Sequence, residues 1–133
     1  MNISADFGIT VTDTLRRKDK ELIHKMDLSS AHLDHDRVRQ IFPDIDFDTN
    51  EGFLAVTGGR HLELGDKIDN TTIIHVNEIE AIGEGSMSLA GINNNESTII
   101  VSAGSGTACI HSHKGIFTHC SGTGVGGGTV LGL

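Results

Sequence analysis

The chain has 133 residues and a formal net charge of −8, with 10 Lys and Arg against 18 Asp and Glu. This acidic balance excludes the basic patches that bind nucleic acid or an anionic membrane, and no apolar run approaches the roughly 18 residues of a membrane span. The N-terminus lacks the basic residues of a signal peptide, which indicates a cytoplasmic protein. The chain has only two cysteines, Cys109 and Cys120, which indicates that they are reduced, and its length suits one domain.

The first part of the chain predicts three strands joined by tight turns, at residues 2–7, 11–17 and 21–28. Ser29 or Ser30 is placed to cap a helix that would turn four apolar side chains to the core, and Pro43 would end it. The four apolar residues are Leu33, Val38, Ile41 and Phe42. Residues 44–51 are expected to form an acidic loop.

The second part alternates strand and helix patterns. Strands are predicted at residues 53–57 and 72–76, followed by a helix with Ile79, Ile82 and Leu89 on one face. Residues 97–102 predict a buried strand, and residues 108–113 and 115–120 a hairpin. The whole order suggests an α/β fold of the ribonuclease-H-like kind, with a mixed sheet and flanking helices.

Three loops have the composition of phosphate-binding turns. In the first, the Asp6 carboxylate at a strand end suits a hydrated Mg²⁺, while Gly8 and Thr10 offer backbone amides and a hydroxyl. The second is the turn Gly104-Ser105-Gly106-Thr107 between two strands. A strand that simply ends in a turn, or an ordinary hairpin, would use the same residues.

The third loop is the densest glycine segment of the chain, and an apolar helix start follows it. It runs Gly122-Thr123-Gly124-Val125-Gly126-Gly127-Gly128-Thr129. Glycines let backbone amides approach a ligand closely, and the positive end of a helix favours phosphate. A flexible tail is the alternative, but the spacing of Val130, Leu131 and Leu133 favours an ordered segment.

The second and third loops together resemble the type II, eukaryotic-like pantothenate kinases of the actin/Hsp70/sugar-kinase superfamily. Residues 56–59 (Val-Thr-Gly-Gly) are similar to that family's Thr-Gly-Gly-Gly turn, and residues 76–85 resemble its Asp-Glu helix. The motifs occur in family order from about Phe53 to the end, and before that point only the Asp6 turn matches.

The resemblance implies transfer of the ATP γ-phosphate to the hydroxyl of pantothenate, in coenzyme A biosynthesis. Glu78 would be the general base, and Asp6 would place Mg²⁺. The other residues implied to line the phosphates are Gly8, Thr10, Gly104, Ser105, Gly106, Thr107, Gly122, Thr123, Gly124, Gly126, Gly127 and Gly128. From the residues alone, the favoured interpretation of Glu78 is an acid at the start of a helix, stabilised by the helix dipole.

The resemblance further implies that residues 1–133 are the N-terminal lobe of a two-lobed fold whose second lobe is absent. We therefore expect this chain by itself to bind ATP weakly and to be inactive, and the full-length protein to be a homodimeric small-molecule kinase.

Two features depart from the family pattern, the first turn and the residue at position 119. Ile9 replaces the second glycine of the first turn, and Asp13 stands where the family has a Lys. His119 takes the place of the Arg that grips the substrate carboxylate, and it cannot form the guanidinium fork. The acceptor therefore stays open between pantothenate and an analogue.

Two alternatives from other classes are open. A non-catalytic member of the superfamily would have kept the fold and lost the chemistry. Residues 6–13 also follow the Asp-x-Gly-x-Thr-x-Thr-Asp start of hydantoinase and oxoprolinase subunits, which hydrolyse ATP while acting on a cyclic amide.

Metal sites are a weaker interpretation of the same chain. Cys109, His111 and His113 alternate on a predicted strand, with His119 and Cys120 across the turn, and zinc takes such ligands. Their spacing matches no standard zinc pattern. An acidic series could suggest calcium but lacks the EF-hand glycine and closing Glu; its members are Asp34, Asp36, Asp44, Asp46 and Asp48.

Overall fold

A computed structural model describes residues 2–18, 21–28, 33–41 and 52–132. The chain divides into two compact units, Met1–Val76 and Asn77–Leu133. The first unit contains six strands and one α-helix among its described residues: β1 Asn2–Phe7, β2 Val11–Lys18, β3 Glu21–Leu28, α1 His35–Ile41, β4 Phe53–Thr57, β5 Lys67–Ile68 and β6 Thr71–His75.

The strands of the first unit form one mixed sheet in the order β3-β2-β1-β4-β6-β5. Strands β1, β4 and β6 are parallel neighbours, whereas β2 and β3 extend the sheet as an antiparallel meander. Because parallel strands end at the same edge, the residues after β1 and β4 come together there. This is the α/β mixed sheet predicted from the sequence.

One face of this sheet makes the core of the first unit. Side chains alternate along β1, so that Ile3, Ala5 and Phe7 are buried while Ser4 and Asp6 are exposed. Leu54 and Val56 of β4 pair in register with Ile3 and Ala5 and join the same cluster. Each fully buried side chain of this size contributes about 1.5–3 kcal/mol, so the pairing of β1 with β4 is strongly specified.

The helix that follows β3 begins later than the predicted serine caps. The Asp34 carboxylate accepts a hydrogen bond from the Arg37 backbone amide at 2.8 Å, which satisfies one free donor of the first turn of α1. Val38 is buried as expected. Ser29, Ser30, Phe42, Pro43 and the acidic loop lie outside the described residues.

The second unit consists of a long helix, an antiparallel sheet and a short helix. The elements are α2 Glu78–Ala90, β7 Thr98–Ala103, β8 Thr107–His113, β9 Ile116–Thr123 and α3 Gly127–Leu131. The sheet has the order β7-β8-β9, with the predicted turn at Lys114 and Gly115. Each unit thus contains a three-stranded antiparallel meander followed by a helix, a likeness that the sequence did not reveal.

Both ends of α2 have clear chemical causes. Asn77 accepts hydrogen bonds from the Ile79 and Glu80 amides, and Gly91 ends the helix in the left-handed conformation. The packed face is centred on Gly83 and Met87, and the Phe117 ring of β9 lies where a Cβ on Gly83 would be. The absence of that Cβ lets α2 approach the sheet.

Two packing predictions for this unit are wrong. Leu89 is 92% exposed, because it stands two residues, or just over half a turn, from the buried Met87. Strand β7 is half-buried rather than buried: Ile100 faces the core, whereas Ile99 and Val101 are exposed. Among the described helices, none combines the length and hydropathy needed to cross a membrane.

Candidate functional site

In the first unit, the Asp6 turn and the Gly58 turn meet. Gly58 follows β4 with φ of +90°, and a Cβ there would overlap the Asp6 carboxylate and lie 2.6 Å from the Phe7 carbonyl carbon. The Arg60 amide also donates to the Phe7 carbonyl oxygen at 3.3 Å. The carboxyl ends of β1 and β4 therefore carry one continuous loop surface, which is where open α/β sheets bind their ligands.

The turn between β1 and β2 holds the predicted residues tightly. A Cβ on Gly8 would lie 2.7 Å from the Val11 carbonyl oxygen, so this position requires a glycine. Ile9, which replaces the family's second glycine, is 71% exposed. An isoleucine is therefore accommodated here without disturbing the core.

The strand neighbours of Asp6 on the exposed face of the sheet carry side-chain oxygen atoms. Asp13 and Thr57 are its register partners on β2 and β4, and cross-strand partners share a face. Within the described part of the chain, the buried Thr57 hydroxyl oxygen has no hydrogen-bond partner. Asp13 also hydrogen-bonds His24, with Oδ1 and Nε2 2.8 Å apart.

Carboxylate and hydroxyl oxygens are the donors that Mg²⁺ prefers, so Asp6 with Thr57 fits the implied metal. Thr57 is a candidate that sequence reasoning missed. Its position in the Thr-Gly-Gly segment was the available signal, but only the register of β1 with β4 gives it a neighbour.

Arg60, which follows the Gly58 turn, is engaged by a carboxylate. Its guanidinium donates to both oxygens of Glu63, at 2.8 and 2.7 Å. Hydrogen bonding to Glu63 raises the pKa of Arg60. Arg60 stays charged at every physiological pH, and its fork is aimed at Glu63.

The structure also pairs two histidines for which the sequence suggested no grouping. His61 and His75 pack edge-to-face, with ring centroids 5.2 Å apart. The Nδ1 atoms of both rings are buried and have no hydrogen-bond partner among the described residues.

In the second unit, the two glycine loops dock on one another. The amides of Gly127 and Gly128 at the start of α3 donate to the carbonyls of Gly104 and Ser105, at 2.8 and 3.0 Å. A Cβ on Gly126 or Gly128 would lie 2.8 Å from the facing backbone. The glycines thus remove side chains so that one backbone can approach another, and two amides expected to bind phosphate are occupied.

Hydroxyl groups complete this loop contact. Thr107 donates to the Val125 carbonyl at 2.8 Å, and the Thr123 hydroxyl accepts from the Val125 amide at 3.2 Å. Thr129 donates to the Gly124 carbonyl at 3.3 Å. The hydroxyl hydrogen bonds of Thr107 and Thr129 therefore stabilise the loops in this conformation.

Glu78 and His119 lie on regular elements of the same unit. Glu78 is the first residue of α2 and is exposed, in the position where the helix dipole stabilises an acid. His119 lies on β9, where it pairs with Ile110 of β8. Its side chain is exposed, and its ring lies beside Gly122. Both side chains are therefore accessible to a ligand.

The alternative metal ligands do not converge. Within the described ranges, no three His, Cys, Asp or Glu side chains are grouped to hold an ion. His111 instead bonds the Ser97 hydroxyl at 2.8 Å and stacks on His113. In the acidic series, Asp34 caps α1 and Asp36 pairs with Arg39, while Asp44, Asp46 and Asp48 lie outside the described residues.

No family model and no curated protein matches the chain. A crystal structure from Porphyromonas gingivalis, described as a candidate N-acetylglucosamine kinase, resembles it with a TM-score of 0.59 at 15% identity. The match covers 91% of this chain and 48% of that one, so the chain spans about half the neighbour's length. YeaZ from Pseudomonas aeruginosa gives 0.46 at 10% identity, over 92% of this chain and 65% of that chain.

The first likeness shows the fold. The chain has the α/β architecture of the ribonuclease-H-like, actin-like ATPase and kinase folds, as the sequence predicts. At 0.46, the second likeness adds nothing to that assignment.

Proposed function

We propose that the chain is the N-terminal, nucleotide-binding part of a type II pantothenate-kinase-like small-molecule kinase. The observation that carries this proposal is the meeting of the Asp6 and Gly58 turns at the carboxyl ends of parallel strands. The resemblance of the motifs and the kinase-like fold of the neighbour support it. The reaction would move the ATP γ-phosphate to the primary hydroxyl of pantothenate or an analogue.

Within the first unit, Asp6 would hold Mg²⁺ together with the Thr57 hydroxyl, and Gly8 and Thr10 would contact phosphate. The ion would neutralise charge on the phosphates during transfer. Asp13 stands where the family has a Lys, so this turn lacks the cation that would neutralise phosphate charge, and the Asp13 carboxylate hydrogen-bonds His24 instead. Charge neutralisation by this turn would therefore depend on the metal.

Within the second unit, Glu78 would accept the proton of the substrate hydroxyl. Its exposure at the start of α2 gives a carboxylate that a substrate can reach. His119 would contact the acceptor, and an imidazole, which lacks the guanidinium fork, suits a hydrogen-bonding group better than a carboxylate. A sugar or another polyol is accordingly an acceptor to test beside pantothenate.

The docked glycine loops favour a second candidate, a non-catalytic member of the superfamily. Gly127 and Gly128 amides that donate to Gly104 and Ser105 cannot simultaneously donate to phosphate. In a kinase these bonds would open as ATP binds. In a non-catalytic relative they would persist, and the hydantoinase-like alternative would instead hydrolyse ATP with a cyclic amide.

The deciding experiment is phosphorylation of pantothenate by the full-length protein with Mg²⁺ and ATP, beside N-acetylglucosamine and a cyclic amide. Turnover of pantothenate supports the proposal. Turnover of N-acetylglucosamine alone supports the kinase assignment and excludes pantothenate as the acceptor. ATP binding without any transfer or hydrolysis identifies the non-catalytic relative.

The proposal extends to the whole protein. The second lobe would lie beyond residue 133, and the complete protein would be a cytoplasmic homodimer. The 48% coverage of the kinase-like neighbour supports a longer protein. Gel filtration of the full-length protein with light scattering tests the dimer.

A further inference from the structure

The two cysteines lie at a β-bulge between β8 and β9. Cys109 pairs with Ser121, and the next residue of β8, Ile110, pairs with His119. Cys120 is therefore the extra residue on β9, with no partner of its own in the register. Two residues of a bulged strand oppose one residue of its partner, and the 3.3 Å contact of Cys120 Sγ with the Cys109 carbonyl oxygen places Cys120 beside Cys109.

The bulge also decides which face Cys120 takes. The buried Ile110 faces the core, so the neighbouring Cys109 faces the opposite side of the sheet. The exposed Cys120, whose Sγ lies 3.3 Å from the Cys109 carbonyl oxygen, takes that opposite side too. Ser121 pairs with Cys109, which alternates with Ile110 and so belongs to that opposite face as well. Cys109 and Cys120 therefore share one face on neighbouring strands, where a regular hairpin would not place them together.

The spacing suits a covalent bridge. The Cys120 thiol donates to the Cys109 carbonyl with Sγ and the oxygen 3.3 Å apart. Neighbouring strands lie about 4.7–4.9 Å apart, within the roughly 4.4–6.8 Å between Cα atoms that disulfides span. Both thiols are free, Cys120 is exposed and Cys109 is half-buried.

We propose that Cys109 and Cys120 are a redox modification site that closes to a disulfide when the chain meets a peroxide. The exposed Cys120 thiolate attacks a peroxide oxygen and breaks the O–O bond of hydrogen peroxide, which gives a sulfenic acid and hydroxide. The Cys109 thiolate then attacks the Cys120 sulfur, the S–S bond forms, and the S–O bond breaks to release water after proton uptake. Two thiols and one peroxide thus give a disulfide and two waters.

The bridge would lie close to the docked glycine loops. Thr107 stands two residues before Cys109, and Gly122 two residues after Cys120. Oxidation would therefore fix the strand ends from which both loops start. This inference does not depend on the proposed kinase activity.

The test is oxidation of the full chain with hydrogen peroxide at low protein concentration. We expect intact-mass spectrometry to show a monomer that has lost both thiol hydrogens, with neither cysteine reactive to maleimide. Dithiothreitol should restore both thiols, and digestion should recover one peptide pair that contains Cys109 and Cys120.

Single variants separate the two steps. In Cys109→Ser, Cys120 should stop at the sulfenic acid, which dimedone traps. In Cys120→Ser, no intramolecular bridge is possible, and Cys109 should oxidise more slowly because it is less exposed. A wild-type monomer that accumulates dimedone-reactive sulfenic acid without a bridge, or one bridged only between two chains, would overturn the proposal.

Discussion

Single glycines at the candidate sites are fixed by what occupies the space of their missing Cβ. At Gly58 this space contains the Asp6 carboxylate and the Phe7 backbone, and φ is +90°. At Gly59 the one neighbour within 4 Å among the described residues is Ile9, whose Cγ1 would lie 4.0 Å from the added Cβ. Two adjacent glycines of one motif therefore have different roles.

We expect Gly58→Ala to destabilise the chain by about 2–4 kcal/mol, since left-handed strain and steric overlap add. Gly59→Ala should stay within about 0.5 kcal/mol of wild type. Urea unfolding followed by circular dichroism measures both. Equal losses in the two variants would show that the turns do not pack as described.

A comparison of Glu78 with Glu80 tests whether Glu78 is the general base, because Glu80 serves as a matched control. Both are exposed acids in the first turn of α2, so either substitution by Gln removes the same favourable dipole interaction. In the full-length protein, Glu78→Gln should lower kcat by about 10²–10⁴-fold if Glu78 is the general base. Glu80→Gln should leave kcat unchanged. A similar small effect of both variants would refute the assignment.

At the scale of elements, α2 packs on its sheet through a glycine. A Cβ on Gly83 would overlap the Phe117 ring, whereas no atom of the described residues lies within 4 Å of the corresponding position on Gly85. We expect Gly83→Ala to cost about 1–3 kcal/mol through overpacking. Gly85→Ala should gain about 0.5–1 kcal/mol, because alanine favours an exposed helix interior.

Thermal unfolding of the two variants gives this comparison directly. Gly83→Ala should lower Tm and Gly85→Ala should raise it. A rise in both would mean that α2 does not approach β9 closely.

The docked loops make a second contact between elements. A Cβ on Gly128 would lie 2.8 Å from the Ser105 carbonyl oxygen, whereas Gly124 faces open space. Gly128→Ala should therefore cost about 1–3 kcal/mol, and Gly124→Ala should be within about 0.5 kcal/mol of wild type. Chemical denaturation checks both, and a neutral Gly128→Ala would show that the loops are not docked in solution.

At the scale of the whole molecule, nucleotide binding should appear as added stability. A ligand at 100 times its Kd raises the free energy of unfolding by about 2.7 kcal/mol. We expect MgATP to raise Tm of the chain, and Asp6→Asn to remove the effect of Mg²⁺ while an ordinary unfolding transition is retained. Thermal shift with ATP, with and without Mg²⁺, measures this. An undiminished Mg²⁺-dependent shift in Asp6→Asn would exclude Asp6 from the metal site.

Most elements of the fold could be predicted from local patterns. Strands β1 and β3 agree with the sequence in their bounds, as does β4. Leu89 was misplaced because helical spacing does not say which part of an apolar stripe meets the sheet. Strand β7 was misplaced because a continuous apolar run is compatible with burial on one face or two.

The candidate site was predictable in composition and not in its contacts. Asp6, Gly8 and the glycine loops were found from residue type alone. Thr57 was missed, since its relation to Asp6 depends on the pairing of β1 with β4. The sequence predicted that the glycines let backbone amides contact phosphate, whereas in the structure the Gly127 and Gly128 amides contact the loop that contains Gly104 and Ser105.

The sequence by itself determined the succession of strands and helices, the acidic charge and the positions of the flexible turns. These follow from side-chain periodicity and from backbone preferences that act over a few residues. Only the tertiary structure decided that Gly58 contacts Asp6, that Gly128 contacts Ser105, and that a bulge brings Cys109 and Cys120 to one face. Such contacts join residues far apart in the chain, and they are set by strand register and close packing, which no local pattern encodes.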